Sequence, residues 1–246
     1  MDVKFFNDSD ENLIVSCGGD KKVKLWDTRI SKCINSEKFK TGCKNLKINP
    51  EGTEFVFSSK DDDIITFFDI RKFSQIKSIG FKDKINEFEY DKTNSYFLIA
   101  TSKGNLMVYD INKIENDPLC VIEVSNSSLN TVKIDNLNKT FCTGGDDALI
   151  TLWNLEELMS YEIIKKSDSE VKKLGFSHDS KFISAIYEGQ NLDIFDISTK
   201  TCVHSIYSDN QFYSLCWNPK NYILAFSGID KIKSGQEEGG INILSV

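Results

Sequence analysis

One sequence motif recurs at a regular interval and constrains the fold more than any other feature. It reads TGGDDALITLWNLE at Thr143–Glu156, SCGGDKKVKLWDTR at Ser16–Arg29 and SSKDDDIITFFDIR at Ser58–Arg71, with weaker copies at Ala100–Asn112 and Ala185–Ser198. Every copy contains an aromatic residue followed by a polar one: Trp26-Asp27, Phe68-Asp69, Tyr109-Asp110, Trp153-Asn154 and Phe195-Asp196. The polar members are 42, 41, 44 and 42 residues apart. Such a period predicts structurally equivalent units that bury their faces against one another.

Each of the first five repeats predicts four short strands, lettered a to d. Apolar residues alternate with polar ones and are bounded by Gly, Asn, Asp and Ser, which is typical of strands joined by turns. In the first repeat the predicted strands are Val3–Phe6, Leu13–Cys17, Val23–Trp26 and Cys33–Phe39. A period of about 40–45 residues with a Trp-Asp pair resembles the WD40 repeat, which implies an all-β propeller with one four-stranded blade per repeat.

The repeats fill the chain and predict a single WD40 propeller domain over residues 1–246. Their approximate ranges are 3–39, 45–81, 85–124, 130–165, 171–207 and 212–246. The sixth is a degenerate copy that ends in EEGGINILSV and lacks its outer strand d. Because nothing upstream of Val3 supplies that strand, we expect an incomplete seven-bladed propeller whose N-terminal blade lies outside this sequence. Six blades that close without the strand are the alternative.

The sixth repeat also has an unusually long connection between strands b and c, at Gly228–Gly240. It is rich in Lys, Glu and Gly and predicts an irregular loop. Long loops on rigid scaffolds often carry function. A contact with a partner and a merely tolerated insertion are both open interpretations.

Charge and cysteine usage narrow the function classes. The net charge of −7 disfavours direct binding of nucleic acid, because proteins that grip phosphates are usually basic. The pairs Lys165-Lys166 and Lys172-Lys173 are interpreted as a solvated face. None of the seven cysteines belongs to a C-x-x-C pair, and six fall in predicted strands, which favours reduced, buried thiols in the cytosol or nucleus.

No catalytic, cofactor-binding or metal site is predicted. Asp20, Asp62 and Asp147 occupy equivalent turns between strands b and c, where a carboxylate accepts hydrogen bonds from turn amides. The histidines, His178 and His204, have no neighbours at metal-ligand or triad spacing. Partner-binding residues stay unassigned.

Several stretches of the sequence show a more specific resemblance than the WD40 repeat alone. The stretches at Gly18–Ile34, Lys60–Asp69, Thr143–Leu158 and Phe176–Ala185 are similar to the WD-repeat family called THO complex subunit 3. The tail at Cys216–Phe226, followed by a polar insertion and GGINIL, is similar as well. The resemblance runs in register from about Val3 to Val246.

This resemblance implies a nuclear, non-catalytic scaffold of the THO/TREX assembly, which couples transcription to mRNA processing and export. The implied partners are other THO/TREX subunits, with RNA reached indirectly through the complex, and no cofactor, membrane or small-molecule substrate is implied. The aromatic and polar repeat positions carry over only as structural residues. A WD40 adaptor of another complex and a propeller that binds RNA directly are the alternatives.

Overall fold

A computed structural model describes residues 2–6, 12–189, 191–208, 211–231 and 237–246. Over these residues the chain forms 23 β-strands and one short 3-10 helix. The strands build six sheets, numbered 1 to 6 along the chain, and strands that are neighbours in sequence are neighbours in each sheet. Sheets 1 to 5 have four strands and sheet 6 has three. The predicted all-β repeat, with an incomplete last copy, is therefore confirmed.

The chain divides into two compact units, the first formed by residues 1–99 and 107–121 and the second by residues 100–106 and 122–246. Sheets 1 and 2 lie in the first unit, sheets 4 to 6 lie in the second, and sheet 3 contributes to both. The single domain over residues 1–246 stays a prediction.

Sheets 1 to 3 have the following bounds. Sheet 1 consists of β1 (Asp2–Phe5), β2 (Leu13–Cys17), β3 (Lys22–Asp27) and β4 (Lys32–Lys38). Sheet 2 consists of β5 (Cys43–Ile48), β6 (Glu54–Ser59), β7 (Ile64–Asp69) and β8 (Ser74–Gly80). Sheet 3 consists of β9 (Ile85–Tyr90), β10 (Tyr96–Thr101), β11 (Asn105–Asp110) and β12 (Cys120–Glu123), with the 3-10 helix at Ile111–Lys113.

Sheets 4 to 6 repeat the arrangement. Sheet 4 consists of β13 (Leu129–Ile134), β14 (Thr140–Gly145), β15 (Ile150–Asn154) and β16 (Ser160–Ile164). Sheet 5 consists of β17 (Val171–Phe176), β18 (Phe182–Tyr187), β19 (Asn191–Asp196) and β20 (Thr201–Tyr207). Sheet 6 consists of β21 (Phe212–Trp217), β22 (Ile223–Lys231) and β23 (Glu237–Ser245).

The repeated aromatic and polar pair has a structural role at the end of the third strand in sheets 1 to 5. In sheets 1, 2, 4 and 5 the pairing with the fourth strand shifts by one residue directly before the aromatic member. The polar member then accepts a hydrogen bond from a backbone amide of the following turn, as Asp27 does from Arg29 at 2.9 Å and Asp69 from Lys72 at 2.7 Å. Asp110, Asn154 and Asp196 do the same. The pair therefore fixes the turn that leads to the outer strand.

The core lies between neighbouring sheets within each unit. Phe55 of sheet 2 is fully buried against residues of sheet 1, and its ring stacks on Phe68 with the ring centroids 4.9 Å apart. Phe141 and Trp153 stack within sheet 4 at 5.6 Å, and the indole of Trp153 donates to Thr143 Oγ1 at 2.9 Å. Because one sheet cannot cover its own faces, each repeat depends on its neighbour for stability.

The long connection in sheet 6 differs from the sequence prediction. The interpretation of Gly228–Gly240 as an irregular loop that does not extend the sheet was wrong over most of its length. β22 continues to Lys231 and β23 begins at Glu237, and the antiparallel register runs without interruption from Gly228 opposite Gly240 to Lys231 opposite Glu237. Residues 232–236 lie outside the described residues. The insertion therefore lengthens a β-hairpin.

The cysteines divide into buried and exposed thiols, and all seven are free. Cys17 and Cys142 are buried as predicted, and Cys43, for which no prediction was made, is buried as well. Cys33 and Cys216 are exposed, so the prediction of buried thiols was wrong for these two. Burial, assisted by the neighbouring Cys43 and Asp2, raises the pKa of Cys17 to about 12. Burial also raises the pKa of Cys43 to about 11.

Alkylation of the native protein should separate these two classes. We expect iodoacetamide at neutral pH to modify Cys33 and Cys216 at least about 100-fold faster than Cys17, Cys43 and Cys142, because the buried thiols react only after local opening. Peptide mass spectrometry over a time course measures the five rates. Equal labelling of Cys17 and Cys33 would show that the core of sheet 1 opens freely.

Among the described residues, no helix has the length and hydrophobicity needed to cross a bilayer.

Candidate protein-interaction surfaces

The aspartates predicted to hold the turns between the second and third strands lie on three different sheets. Asp20 accepts a hydrogen bond from the Lys22 amide at 3.2 Å, and Asp147 accepts one from the Leu149 amide at 3.0 Å, so the structural interpretation is confirmed for both. Asp62 differs, because its own amide donates to Ser59 Oγ at 3.1 Å. Within the described part of the chain, no three His, Cys, Asp or Glu side chains are placed to hold a metal.

A second set of side chains holds the turns between the first and second strands, a role that was not predicted from the sequence. Asp91 and Asp135 are buried, and each accepts hydrogen bonds from the amides four and five residues further along the chain. Asn49, Ser177 and Asn218 hold the corresponding turns. These five residues follow one another at intervals of 42, 44, 42 and 41 residues, so the same period would have revealed them.

His178 takes part in a contact between turns of sheets 5 and 6. Its ring lies 4.7 Å from the Tyr222 ring, and the Tyr222 hydroxyl donates to Asp179 at 2.5 Å. Burial opposes ionisation of Asp179, but hydrogen bonds from Tyr222 and Ser177 outweigh it and hold the pKa of Asp179 below its usual range. His204 is exposed on β20. His178 therefore belongs to a structural contact between the two turns.

The two lysine pairs differ in exposure, because Lys165 and Lys166 are exposed whereas Lys172 and Lys173 are half-buried. Lys172 Nζ contacts Glu170 and lies 3.4 Å from Glu188 and 3.7 Å from Asp146. Burial opposes the charged form of Lys172, yet these carboxylates raise its pKa overall. Lys166 pairs with the buried Asp193 at 2.8 Å. The interpretation of a solvated face is therefore confirmed for Lys165 and Lys166, whereas Lys172 is only half-buried, and carboxylates match the charges of Lys166 and Lys172.

Sheet 1 has one face in the core and a second that is partly open. Phe5 on β1 is 61% exposed. It pairs with Ile14, and Ile14 pairs with Trp26, so an apolar row crosses three strands. The Trp26 indole donates to Ser16 Oγ at 2.9 Å, which fixes its orientation. The buried face carries Val15, Val23 and Leu25.

Sheet 6 has a more exposed apolar face. Ile241 and Ile243 on β23 are 81% and 74% exposed. Ile243 pairs with Ala225, and Ala225 pairs with the exposed Cys216. Within the described chain β23 is also the edge of a three-stranded sheet, whereas the third strand of every other sheet pairs with a fourth. An apolar face beside an edge strand is a typical site for a protein partner.

Comparisons with known proteins match this geometry. The β-propeller domain of Cps50 (Swd1) from Myceliophteria thermophila superposes with a TM-score of 0.79 over 96% of this chain and 80% of that one, at 16% identity. A family described as WD domain, G-beta repeat, matches residues 1–27. The chain has the β-propeller fold. WD40 propellers mediate protein interactions and are typically non-catalytic scaffolds.

Proteins that are similar to this chain over most of its length are of several kinds. THO complex subunit 3 of Arabidopsis thaliana is 26% identical over 94% of this chain and 72% of its own length. WD repeat-containing protein AAC3 of Dictyostelium discoideum is 25% identical over 88% of this chain but 46% of its own length. Protein TEX1 of Saccharomyces cerevisiae is 20% identical over 76% of this chain and 56% of its own length. The chain thus spans only part of each relative.

Proposed function

We propose that this WD40 propeller is a non-catalytic subunit of a THO/TREX-type assembly in the nucleus, where it holds other subunits together during mRNA processing and export. The observation that carries the proposal is the similarity to THO complex subunit 3 along 94% of the chain. The exposed apolar face of sheet 6 and the neutralised lysines support contacts with protein rather than with phosphate.

The sixth sheet is the proposed contact with a partner subunit. Its occupant is an extended partner segment that pairs with the free edge of β23 and covers Ile241 and Ile243. Two features support this occupant. Five sheets of the same fold carry a fourth strand at the corresponding edge, and β23 offers nine residues of extended backbone. Strand addition of this kind gains main-chain hydrogen bonds, and alternate side chains provide specificity.

Affinity purification from nuclease-treated nuclei tests the THO assignment, and imaging of a fluorescent fusion tests the nuclear location. The tagged chain should recover the large THO subunits, and a fluorescent fusion should accumulate in the nucleus. Recovery of a different stable complex would contradict the THO assignment while leaving the interaction scaffold intact. Loss of all partners after nuclease treatment, together with steep salt sensitivity, would favour direct binding to RNA instead.

Charged substitutions on β23 should weaken the partner contact. We expect the double variant Ile241→Asp/Ile243→Asp to reduce recovery of the partner subunits at least about tenfold, because a carboxylate buried at an interface lacks a counter-charge. Quantitative mass spectrometry of the purified complex measures the loss. Ile76→Asp, at a residue on β8 that is 47% exposed, is the matched control and should bind normally. Unchanged binding of the double variant would contradict the proposed site, and loss of self-association alone would identify a second copy as the occupant.

A further inference from the structure

A lysine, a cysteine, a serine and an aspartate meet at sheet 5. Lys166 lies between β16 and β17, Asp193 lies in β19, and Cys202 and Ser205 lie in β20. Lys166 Nζ is 3.0 Å from Cys202 Sγ and 2.8 Å from Asp193 Oδ1. Ser205 Oγ donates to Asp193 Oδ1 at 2.6 Å and also contacts Lys166 Nζ. We call these four residues the Lys166 cluster.

Asp193 holds the lysine amine beside the sulfur. The Asp193 side chain is only 2% exposed, and a buried carboxylate requires a counter-charge. Burial opposes the charged form of Lys166, but hydrogen bonds to Asp193 and Cys202 outweigh it and raise the pKa of Lys166. The amine therefore stays in the cluster, although the lysine side chain is 31% exposed and solvent is close by.

Cys33 provides an internal comparison for Cys202. Cys33 lies in β4, opposite Trp26, and Cys202 lies in β20, opposite Phe195, each next to the same register shift. Each thiol also donates to the backbone carbonyl two residues further on, at 3.1 Å. Among the described contacts, a lysine nitrogen reaches the sulfur only at Cys202. Cys33 is the more exposed of the two.

We infer that Cys202 and Lys166 form a peroxide-responsive modification site, in which oxidation of the thiol ends in a covalent sulfur–nitrogen bond between the two side chains. A cationic donor beside a cysteine favours attack on peroxide. Sulfenic acids condense with backbone nitrogens to form sulfenamides, and we expect the more nucleophilic amine of a lysine to react in the same way. Lys166 Nζ is the nitrogen held against the sulfur.

The reaction balances with one equivalent of hydrogen peroxide. The Cys202 sulfur attacks a peroxide oxygen, so an S–O bond forms, the O–O bond breaks and water leaves. The sulfur loses two electrons and the peroxide gains them. Lys166 then gives one proton to Asp193 or to solvent, and the free amine attacks the sulfur. The S–N bond forms as the S–O bond breaks, and the departing hydroxide leaves as water with a second proton from the nitrogen. Thiol, ammonium and peroxide therefore give the sulfenamide, two waters and one proton.

The bond would fasten the segment before β17 to the outer strand of sheet 5. It joins residues that are 36 positions apart, and a cross-link of that span restricts the unfolded chain. We expect the melting temperature of the oxidised protein to rise by about 5 °C and to return to the starting value after treatment with a thiol reductant.

Peptide mass spectrometry of the peroxide-treated protein tests the site directly. The expected product joins the peptide with Lys166 to the peptide with Cys202, has lost two hydrogens and lacks trypsin cleavage after Lys166. Dithiothreitol should restore the separate peptides. In the same sample, Cys202 should be consumed roughly five- to tenfold faster than Cys33, although Cys33 is more exposed.

Two substitutions of Lys166 distinguish its effect on the oxidation rate of Cys202 from its reaction with the oxidised sulfur. Lys166→Arg keeps the cation but replaces the amine with a guanidinium that is protonated at neutral pH, so rapid oxidation without a cross-link is expected. Lys166→Met removes both functions and should slow consumption of Cys202 to the rate of Cys33. Cys33→Ser is the matched control and should cross-link normally. Circular dichroism before oxidation checks that each variant is folded.

The outcomes distinguish the inference from ordinary thiol oxidation. A reversible cross-link in the wild type and in Cys33→Ser, absent from both lysine variants, supports the inference. Conversion of wild-type Cys202 to sulfinic acid while Lys166 stays cleavable would overturn it. Equal oxidation rates for Cys202 and Cys33 would overturn the activating role of the lysine.

Discussion

Replacing Gly104 with alanine is expected to lower the free energy of unfolding by more than about 4 kcal/mol. Gly104 ends the turn between β10 and β11 with a φ of +82°, a conformation that side chains disfavour. An added Cβ would lie 1.9 Å from the carbonyl oxygen of Ser125 and 2.4 Å from that of Ser127. The Gly104 carbonyl also accepts hydrogen bonds from the amides of Val124 and Ser125, at 3.0 and 3.2 Å. Because backbone surrounds the turn, the clash cannot be relieved by a change of rotamer.

Alanine variants at two other glycines distinguish the cost of the steric clash from the cost of backbone strain. Gly189 has a φ of +112° but open space around its Cβ position, so Gly189→Ala should cost about 1–2 kcal/mol from strain alone. Gly19 has open space and no positive φ, so Gly19→Ala should change stability by less than about 0.5 kcal/mol. Urea unfolding followed by tryptophan fluorescence measures the order. If Gly104→Ala proves too unstable to purify, soluble yield against Gly189→Ala gives the same comparison. Similar stability of these two variants would contradict the prediction.

Removal of the Asp91 carboxylate should produce the second large loss, about 3 kcal/mol for Asp91→Ala. The side chain is buried in the turn between β9 and β10. It accepts hydrogen bonds from the amides of Ser95 and Tyr96 at 2.7 Å and of Thr93 at 3.0 Å. The Thr93 hydroxyl contacts it as well. Alanine would leave these donors without the buried carboxylate that accepts their hydrogen bonds.

Asp91→Asn and Asn218→Ala are the controls for this prediction. Asparagine keeps one acceptor oxygen in place, so Asp91→Asn should cost only about 1 kcal/mol. Asn218 holds the equivalent turn of sheet 6 through the amides of Lys220 and Asn221, but it is only half-buried. Its replacement by alanine should therefore also cost about 1 kcal/mol, since water can reach the freed amides. A loss for Asp91→Ala no larger than that for Asn218→Ala would show that burial does not control the effect.

Much of the fold could be predicted because each repeat contains the residues that form its own strands and turns. The strands of the first repeat were predicted to within one residue of β1 to β4. The polar members of the repeated pairs cap their turns as structural residues. The turn residues Asp91 and Asp135 follow the same period but were overlooked, because they lie outside the recurring sequence motif.

The candidate surfaces and the Lys166 cluster were beyond sequence reasoning. Ile241 alternates like any strand residue, and nothing in that alternation tells an exposed isoleucine from a buried one. Lys166 and Lys172 read as solvated lysines, yet the first pairs with a carboxylate 27 positions away. Cys33 and Cys202 occupy equivalent strand positions, but only the tertiary structure places a lysine beside one of them.

The sequence by itself determined the repeating four-stranded sheets, the short final sheet and the turns between strands, because these depend on hydrogen bonds and alternation over a few neighbouring residues. Only the tertiary structure decided which face of each sheet is covered, that the long insertion of sheet 6 continues a hairpin, and which charged and thiol groups meet. Those features depend on contacts between segments far apart in the chain, and a strand pattern of period two specifies two faces without saying what covers either one.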